Sequence, residues 1–327
     1  MQVQALLAGG KVQFTTPTGL LPNPIHSLPL LALHLTGEPE FWKLRAPACL
    51  SGLLLLPLAY FLFRRPLGDY GAWCFLALLA GLPILIAYSR FGWDASQTPL
   101  TSLLCLLFVL NRRPIAATFG FAAALMVHPT NVFLAPILLC LAVGVELSAD
   151  CSSARPTLSS TLVRLGALAS GLAFTTACFS LIVPSQQDRA GQWVRRLESF
   201  EGWWSFFTLY GRLLSGATIQ EYIVGPLSPA NVIRRDVLLW TIVGLLTLAG
   251  VRRSIRNRDC RCAGLIVGIF LGASGSYLAA GTDGMVAGFE RYSMFLVVPS
   301  LLALAMLLDA VCETRRLRAV GGTMLLA

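Results

Sequence analysis

The feature that most constrains this chain is a series of long, nearly uncharged runs that stop at paired arginines. Residues 46–63 end at Arg64-Arg65, and residues 237–251 end at Arg252-Arg253. In lipid a segment must satisfy its own backbone hydrogen bonds, while its flanking cations stay among the headgroups. An apolar helix closed by arginines meets both demands, and a very apolar soluble core has no reason to repeat the pattern. Composition agrees. Only 13 % of the 327 residues are charged and 56 % are hydrophobic, whereas a soluble domain carries about a quarter charged residues. The fold class expected is an all-α integral membrane protein, a polytopic helical bundle.

Nine runs qualify as spans: 46–63, 71–88, 96–111, 115–127, 131–147, 162–184, 237–251, 263–281 and 292–311. The third and fourth are short, about 20–24 Å of helix against a hydrocarbon core near 30 Å. His128-Pro129-Thr130-Asn131 reads as the turn between the fourth and fifth, since proline disfavours helix just before it. Gly264, Gly268 and Gly272 recur every four residues, a small-residue ridge for close helix packing. Pro83, Pro136 and Pro299 are candidate kinks.

The excess of basic residues orients the bundle. Placing Arg64-Arg65 in the cytoplasm and alternating sides puts Arg112-Arg113, Arg155, Arg164, the Arg252–Arg261 cluster and Arg315, Arg316 and Arg318 there too. The N-terminus is then outside and the C-terminus inside, with 1–327 forming one transmembrane domain. Its extracytoplasmic parts are an N-terminal segment, 1–45, and a loop, 185–236, in which 197–214 reads as an amphipathic interfacial helix. The net charge of +9 belongs to span ends, and no nucleic-acid module is present. The cysteines within spans act as small apolar residues, and Cys260-x-Cys262 lacks a second pair for zinc. The partner implied is membrane lipid.

Chemistry has to come from the extracytoplasmic face. The spans carry no midplane ionisable group of the kind that coupled transport uses, and Walker, H-E-x-x-H and G-x-S-x-G patterns are absent. Asp94, between the second and third spans, is the candidate catalytic residue. Its carboxylate can act as a general base or hold a divalent cation against a phosphate. Arg90, Arg234, Arg235 and Arg291 are candidate anion binders, because guanidinium matches phosphate with two hydrogen bonds.

Several segments carry a resemblance in order. Gly37-Glu38-Pro39-Glu40-Phe41-Trp42-Lys43-Leu44-Arg45-Ala46-Pro47 leads into a span and Arg64-Arg65. Pro83 precedes Tyr88-Ser89-Arg90 and Asp94. His128-Pro129-Thr130 follows a helix, and Glu290-Arg291-Tyr292 leads into a span with Pro299. Asn23-Pro24-Ile25-His26 and Pro29-Leu30 form a looser match. Together these resemble the GT-C glycosyltransferases, in particular the bacterial branch related to protein mannosyltransferases and aminoarabinose transferases.

That resemblance implies a GT-C-like fold in a bacterial inner membrane and inverting transfer of a sugar from a polyprenyl-phosphate donor on the extracytoplasmic face. By motif it carries Arg45, Arg90, Asp94 and Arg291, and more loosely His128 and Tyr292, as substrate-handling residues. The family also places an acidic pair after a first helix. No residue before Gly37 is acidic, so the expectation is a chain lacking that base, truncated or inactive as it stands, with Glu38 or Glu40 as weak substitutes. The other function classes expected are a transporter or flippase of lipid-linked precursors and a non-catalytic membrane subunit.

Overall fold

The computed structural model describes residues 24–37, 40–90, 94–148, 157–182, 200–217, 219, 225, 228–257, 259–280 and 293–312. Among them every regular element is helical. In chain order they are α1 (Pro24–His34), α2 (Phe41–Gly81), α3 (Pro83–Tyr88), a 3-10 turn (Asp94–Gln97), α4 (Thr98–Leu110) and α5 (Pro114–Val127). A second 3-10 turn (Pro129–Phe133), α6 (Leu134–Leu147), α7 (Leu158–Ile182), α8 (Phe200–Leu214), α9 (Pro229–Asn257), α10 (Arg261–Ala280) and α11 (Met294–Val311) follow.

Five of these helices are long and apolar enough to cross a membrane: Phe41–Gly81, Pro129–Leu147, Leu158–Leu181, Arg261–Ala279 and Met294–Val311. Ala95–Leu110, Pro114–Val127 and Trp240–Arg252 are shorter apolar helices. The protein is therefore a helical bundle suited to a membrane.

α2 is a hairpin rather than one long rod. The rings of Tyr60 and Trp73 lie 4.6 Å apart and those of Phe63 and Phe75 5.1 Å apart, whereas on a straight helix 13 residues rise about 20 Å. The reversal sits at Gly68, whose φ of 77° and ψ of 172° suit only glycine. Arg64 and Asp69 form an exposed ion pair across it. The returning limb breaks at Leu82, which is extended as expected before Pro83, and continues as α3. Ser89 then comes back against Gly52 of the first limb. The two runs predicted at 46–63 and 71–88 are these two limbs.

The later helices run between two ends, and one end gathers the arginines. Arg261 Nη1 donates to the Pro66 carbonyl at 2.8 Å, and its Nη2 pairs with Asp259 at 2.6 Å. Ser148 Oγ donates to Asp259 Oδ1 at 3.2 Å. Glu146, two residues earlier, meets Arg112 at 3.7 Å and Arg164 at 2.6 Å. Asp309, late in α11, lies beside Gly71. The α2 reversal, the ends of α4, α6 and α11, and the starts of α5, α7 and α10 therefore share this basic end. α5 leaves it at Pro114 and finishes at the opposite, polar end, where Asn131 donates to its Ala124 carbonyl.

Packing follows the pattern expected in lipid, where small residues rather than a hydrophobic drive bring helices close. Cβ atoms added at Gly264, Gly268 and Gly272 would sit 2.3, 2.7 and 2.7 Å from Cys140 O, Ile137 Cα and Phe133 O. The predicted ridge thus lies directly on the backbone of α6. α11 is the central helix: Met294, Phe295, Leu296, Val297 and Val298 have no exposed surface, the signature of a helix apolar all round. α7 is the peripheral one.

Three boundaries differ from the sequence reading. α2 begins at Phe41, α1 lies within the N-terminal segment 1–45, where the sequence predicts no apolar run, and α9 begins at Pro229. Arg234 and Arg235 consequently sit on a helix and not in the 185–236 loop. The cause is one of signal: charges in the first turns hide a helix whose apolar stretch starts only at Val237.

Candidate functional site at the polar end

The polar end is assembled from the chain segments between α1 and α6. The turn Asp94–Gln97 packs against α2 and α3. It is held from below, because Thr101 Oγ1 donates to the carbonyls of Gln97 and Thr98 at 3.3 and 3.1 Å. Gln97 Nε2 donates to Ile25 O at 3.3 Å and ties α1 over this turn. Asn131, fully buried, donates from Nδ2 to Ala124 O at 2.7 Å and to Thr98 Oγ1 at 3.3 Å. These bonds form a polar seam joining α1, the Asp94 turn, α4, α5 and the turn before α6. Asn131 Oδ1 and Ser102 Oγ are buried in it without a hydrogen-bond partner among the described residues, a costly and unusual condition.

His128 is 5 % exposed and extended, at φ −155° and ψ 136°. Its Nδ1 lies 2.8 Å from Thr130 Oγ1 and accepts from the Thr130 amide at 3.3 Å. Nδ1 is therefore the acceptor nitrogen, so His128 caps the 3-10 turn through it. Arg45 lies over the Phe41 ring, 4.0 Å from guanidinium to centroid, a cation–π contact on its own helix. Glu40 precedes α2 and accepts from Trp42 Nε1. Arg90 follows α3 and is exposed, and Arg234 is exposed on α9. The α9 C-terminus leads to Asp259 at the basic end, so Arg234 belongs to the polar end.

Asp94 opens the turn Asp94–Gln97, but its side chain lies outside the described residues, as does that of Arg235. Glu38, Arg291 and Tyr292 lie wholly outside them. No group of three His, Cys, Asp or Glu side chains converges among the described residues.

Three groups escaped the sequence reading. Lys43 is only 4 % exposed, and its ammonium lies against Gly37. Gln97 and Asn131 hold the seam. Asn131 had a visible signal, an amide directly after His-Pro-Thr at a helix start, but its burial depends on α4 and α5 meeting there.

Beside this end lies an apolar cavity of about 490 Å³. The returning limb of α2, α8, α9, α10 and α11 surround it. Its lining is Leu78, Trp240, Ile269 and similar residues, and its polar points are few: the hydrogen-bonded pair Tyr210 and Ser300, with Ser215 and Thr247. It starts at Pro83, against which Gly216 after α8 is packed, and reaches Leu307, which touches Gly250 deeper in the bundle. The helix expected at 197–214 is thus observed as α8, and it forms a wall of this cavity. Comparison with protein-family models, with curated proteins and with solved structures finds no match to this chain.

Proposed function

We propose that this protein is a membrane glycosyltransferase of GT-C type, transferring a sugar from a polyprenyl-phosphate donor to an acceptor at the extracytoplasmic face of a bacterial inner membrane. The observation that carries the reading is the apolar cavity of about 490 Å³ beginning at Pro83, close in the chain to Arg90 and Asp94. Its volume suits a small-molecule site, and its hydrocarbon lining suits an isoprenoid tail whose phosphate stays at the polar end. The nine segments, counting both limbs of α2, cross the membrane in alternation. The basic end faces the cytoplasm, as does the C-terminus, and the N-terminus lies outside.

In this reading the arginines Arg90, Arg234, Arg235 and Arg291 hold the lipid phosphate, each guanidinium offering two parallel donors. Arg45 and Tyr292 are further substrate-handling residues in this reading, and His128 fixes the turn that follows α5. The acceptor oxygen attacks the anomeric carbon and the bond to the phosphate oxygen breaks. The lipid phosphate leaves with the electron pair, and the arginines stabilise the charge it gains. Asp94 takes the acceptor proton; a divalent cation, where bound, would be held by the same carboxylate and would offset phosphate charge. A transporter of lipid-linked precursors draws less support, since the cavity lining is overwhelmingly apolar.

The test is sugar transfer from polyprenyl-phosphate hexose in proteoliposomes, comparing wild type with Asp94→Asn. A loss of about 10²–10⁴-fold is expected for removal of a general base. Unchanged transfer would remove Asp94 from the mechanism.

A further inference from the structure

At the basic end, two guanidiniums share one carboxylate and a third stands beside them. Glu146 is 5 % exposed on its side chain, and both its oxygens are engaged. Arg164 donates Nε to Oε1 at 2.8 Å and Nη2 to Oε2 at 2.6 Å, and Thr161 Oγ1 donates to Oε2 at 3.1 Å. Arg112 stands 3.7 Å from Oε1, with its Nη2 donating to Val145 O at 3.2 Å. Arg113, beside it, is exposed. Among these four groups the balance is +2.

Arg112 holds this position at a backbone cost. Its φ of 54° is the left-handed region that usually ends a helix on glycine. The amides of Arg112 and Arg113 bond back to Val109 O and Phe108 O at 2.9 and 2.8 Å, closing α4. An arginine in a glycine's place delivers a guanidinium to the crevice between α4, α5, α6 and α7. The enclosed part of that crevice measures about 20 Å³, room for one water-sized group such as a single phosphate oxygen. Its other walls, Val109 and Leu168 among them, are hydrocarbon.

We infer that this crevice binds the phosphate of an anionic phospholipid from the leaflet at the basic end. The surplus positive charge calls for an anion, and basic pockets between membrane helices on the cytoplasmic side take lipid headgroups. A lipid rather than free phosphate is indicated by what adjoins the arginines. Ile115 and Phe119, one turn apart on α5 and following the crevice's Pro114, and Leu162 on α7, two residues before its Arg164, are exposed apolar side chains. They are placed to meet the acyl chains while Arg112, Arg113 and Arg164 meet the phosphate. This inference needs only membrane embedding and is independent of the transfer reaction.

The experiment is native mass spectrometry of the whole protein in detergent with equal phosphatidylglycerol and phosphatidylcholine. Wild type retains phosphatidylglycerol preferentially. Arg113→Ala lowers that preference about fivefold, as loss of one surface cation near an anionic lipid implies. Arg256→Ala, which removes an exposed arginine of α9, leaves it unchanged. Arg113→Lys, with charge kept and the two-pronged donor lost, falls between and serves if the alanine variant is unstable. Equal retention of the two lipids, equal loss in Arg113→Ala and Arg256→Ala, or displacement of phosphatidylglycerol by millimolar inorganic phosphate would each overturn the inference.

Discussion

Arg164, in the first turns of α7, grips the Glu146 carboxylate at the end of α6 with two parallel hydrogen bonds of 2.8 and 2.6 Å. The pair joins a peripheral helix to the bundle at the point where Arg112 also arrives. Removing the acid alone would leave two guanidiniums facing each other. Glu146→Gln is therefore expected to cost about 3 kcal/mol, the lower part of the range for breaking a buried pair, because Arg164 keeps some solvent access. The double change Glu146→Leu with Arg164→Met should recover much of that loss. Denaturant unfolding in mixed micelles measures both, and a neutral single variant would refute the assignment.

The glycine ridge makes a sharper steric prediction. At Gly264 an added Cβ meets Cys140 O at 2.3 Å and Gly144 Cα at 3.1 Å, both backbone atoms that cannot swing aside. Gly264→Ala should cost about 1–3 kcal/mol through overpacking. At Gly244 on α9 the same Cβ meets nothing within 4 Å, so Gly244→Ala should be neutral or gain up to about 1 kcal/mol from helix propensity. Thermal unfolding of the two variants side by side decides it.

Much of this architecture is legible in the sequence because lipid imposes a simple rule, that backbone groups must be satisfied within each apolar run. The limits of α4, α5, α6 and α10 fall within a few residues of the runs predicted, and the four-residue glycine spacing finds its partner helix. The missed parts depend on contacts between distant segments. Nothing near Gln97 shows that it will reach Ile25. The site residues are legible only as types: Arg90 and Arg234 appear as cations at the right end, whereas the burial of Lys43 and Asn131 arises from the fold around them.

Acid should loosen the basic end. Burial raises the Asp259 carboxyl, but hydrogen bonds and charge from Arg261, with a further bond from Ser148, outweigh it and hold the group below its ordinary range. A depressed carboxyl stabilises the fold fully above its unfolded value of about 3.9 and loses that contribution as pH falls through the lower folded value. Wild type should lose more stability than Asp259→Asn between about pH 5 and pH 2. Parallel acid titrations of unfolding would show the two curves converging at low pH.

Sidedness is checked by single cysteines introduced into a cysteine-free background. Cysteines replacing the exposed Arg65 and Arg256 should react with an impermeant maleimide only from the cytoplasmic side. Those replacing the exposed Arg90 and Arg234 should react only from outside. Labelling of all four from one side would break the alternation of nine crossings.

Photolabelling with a polyprenyl phosphate that carries a diazirine on its tail tests the central claim most directly. The account predicts crosslinks on the cavity wall, at residues such as Leu214, Trp240 and Ile269. It also predicts strong loss of labelling in Ala273→Phe, which fills the cavity from α10. Labelling spread over outward-facing residues such as Phe174 and Leu181, and undiminished in that variant, would contradict it.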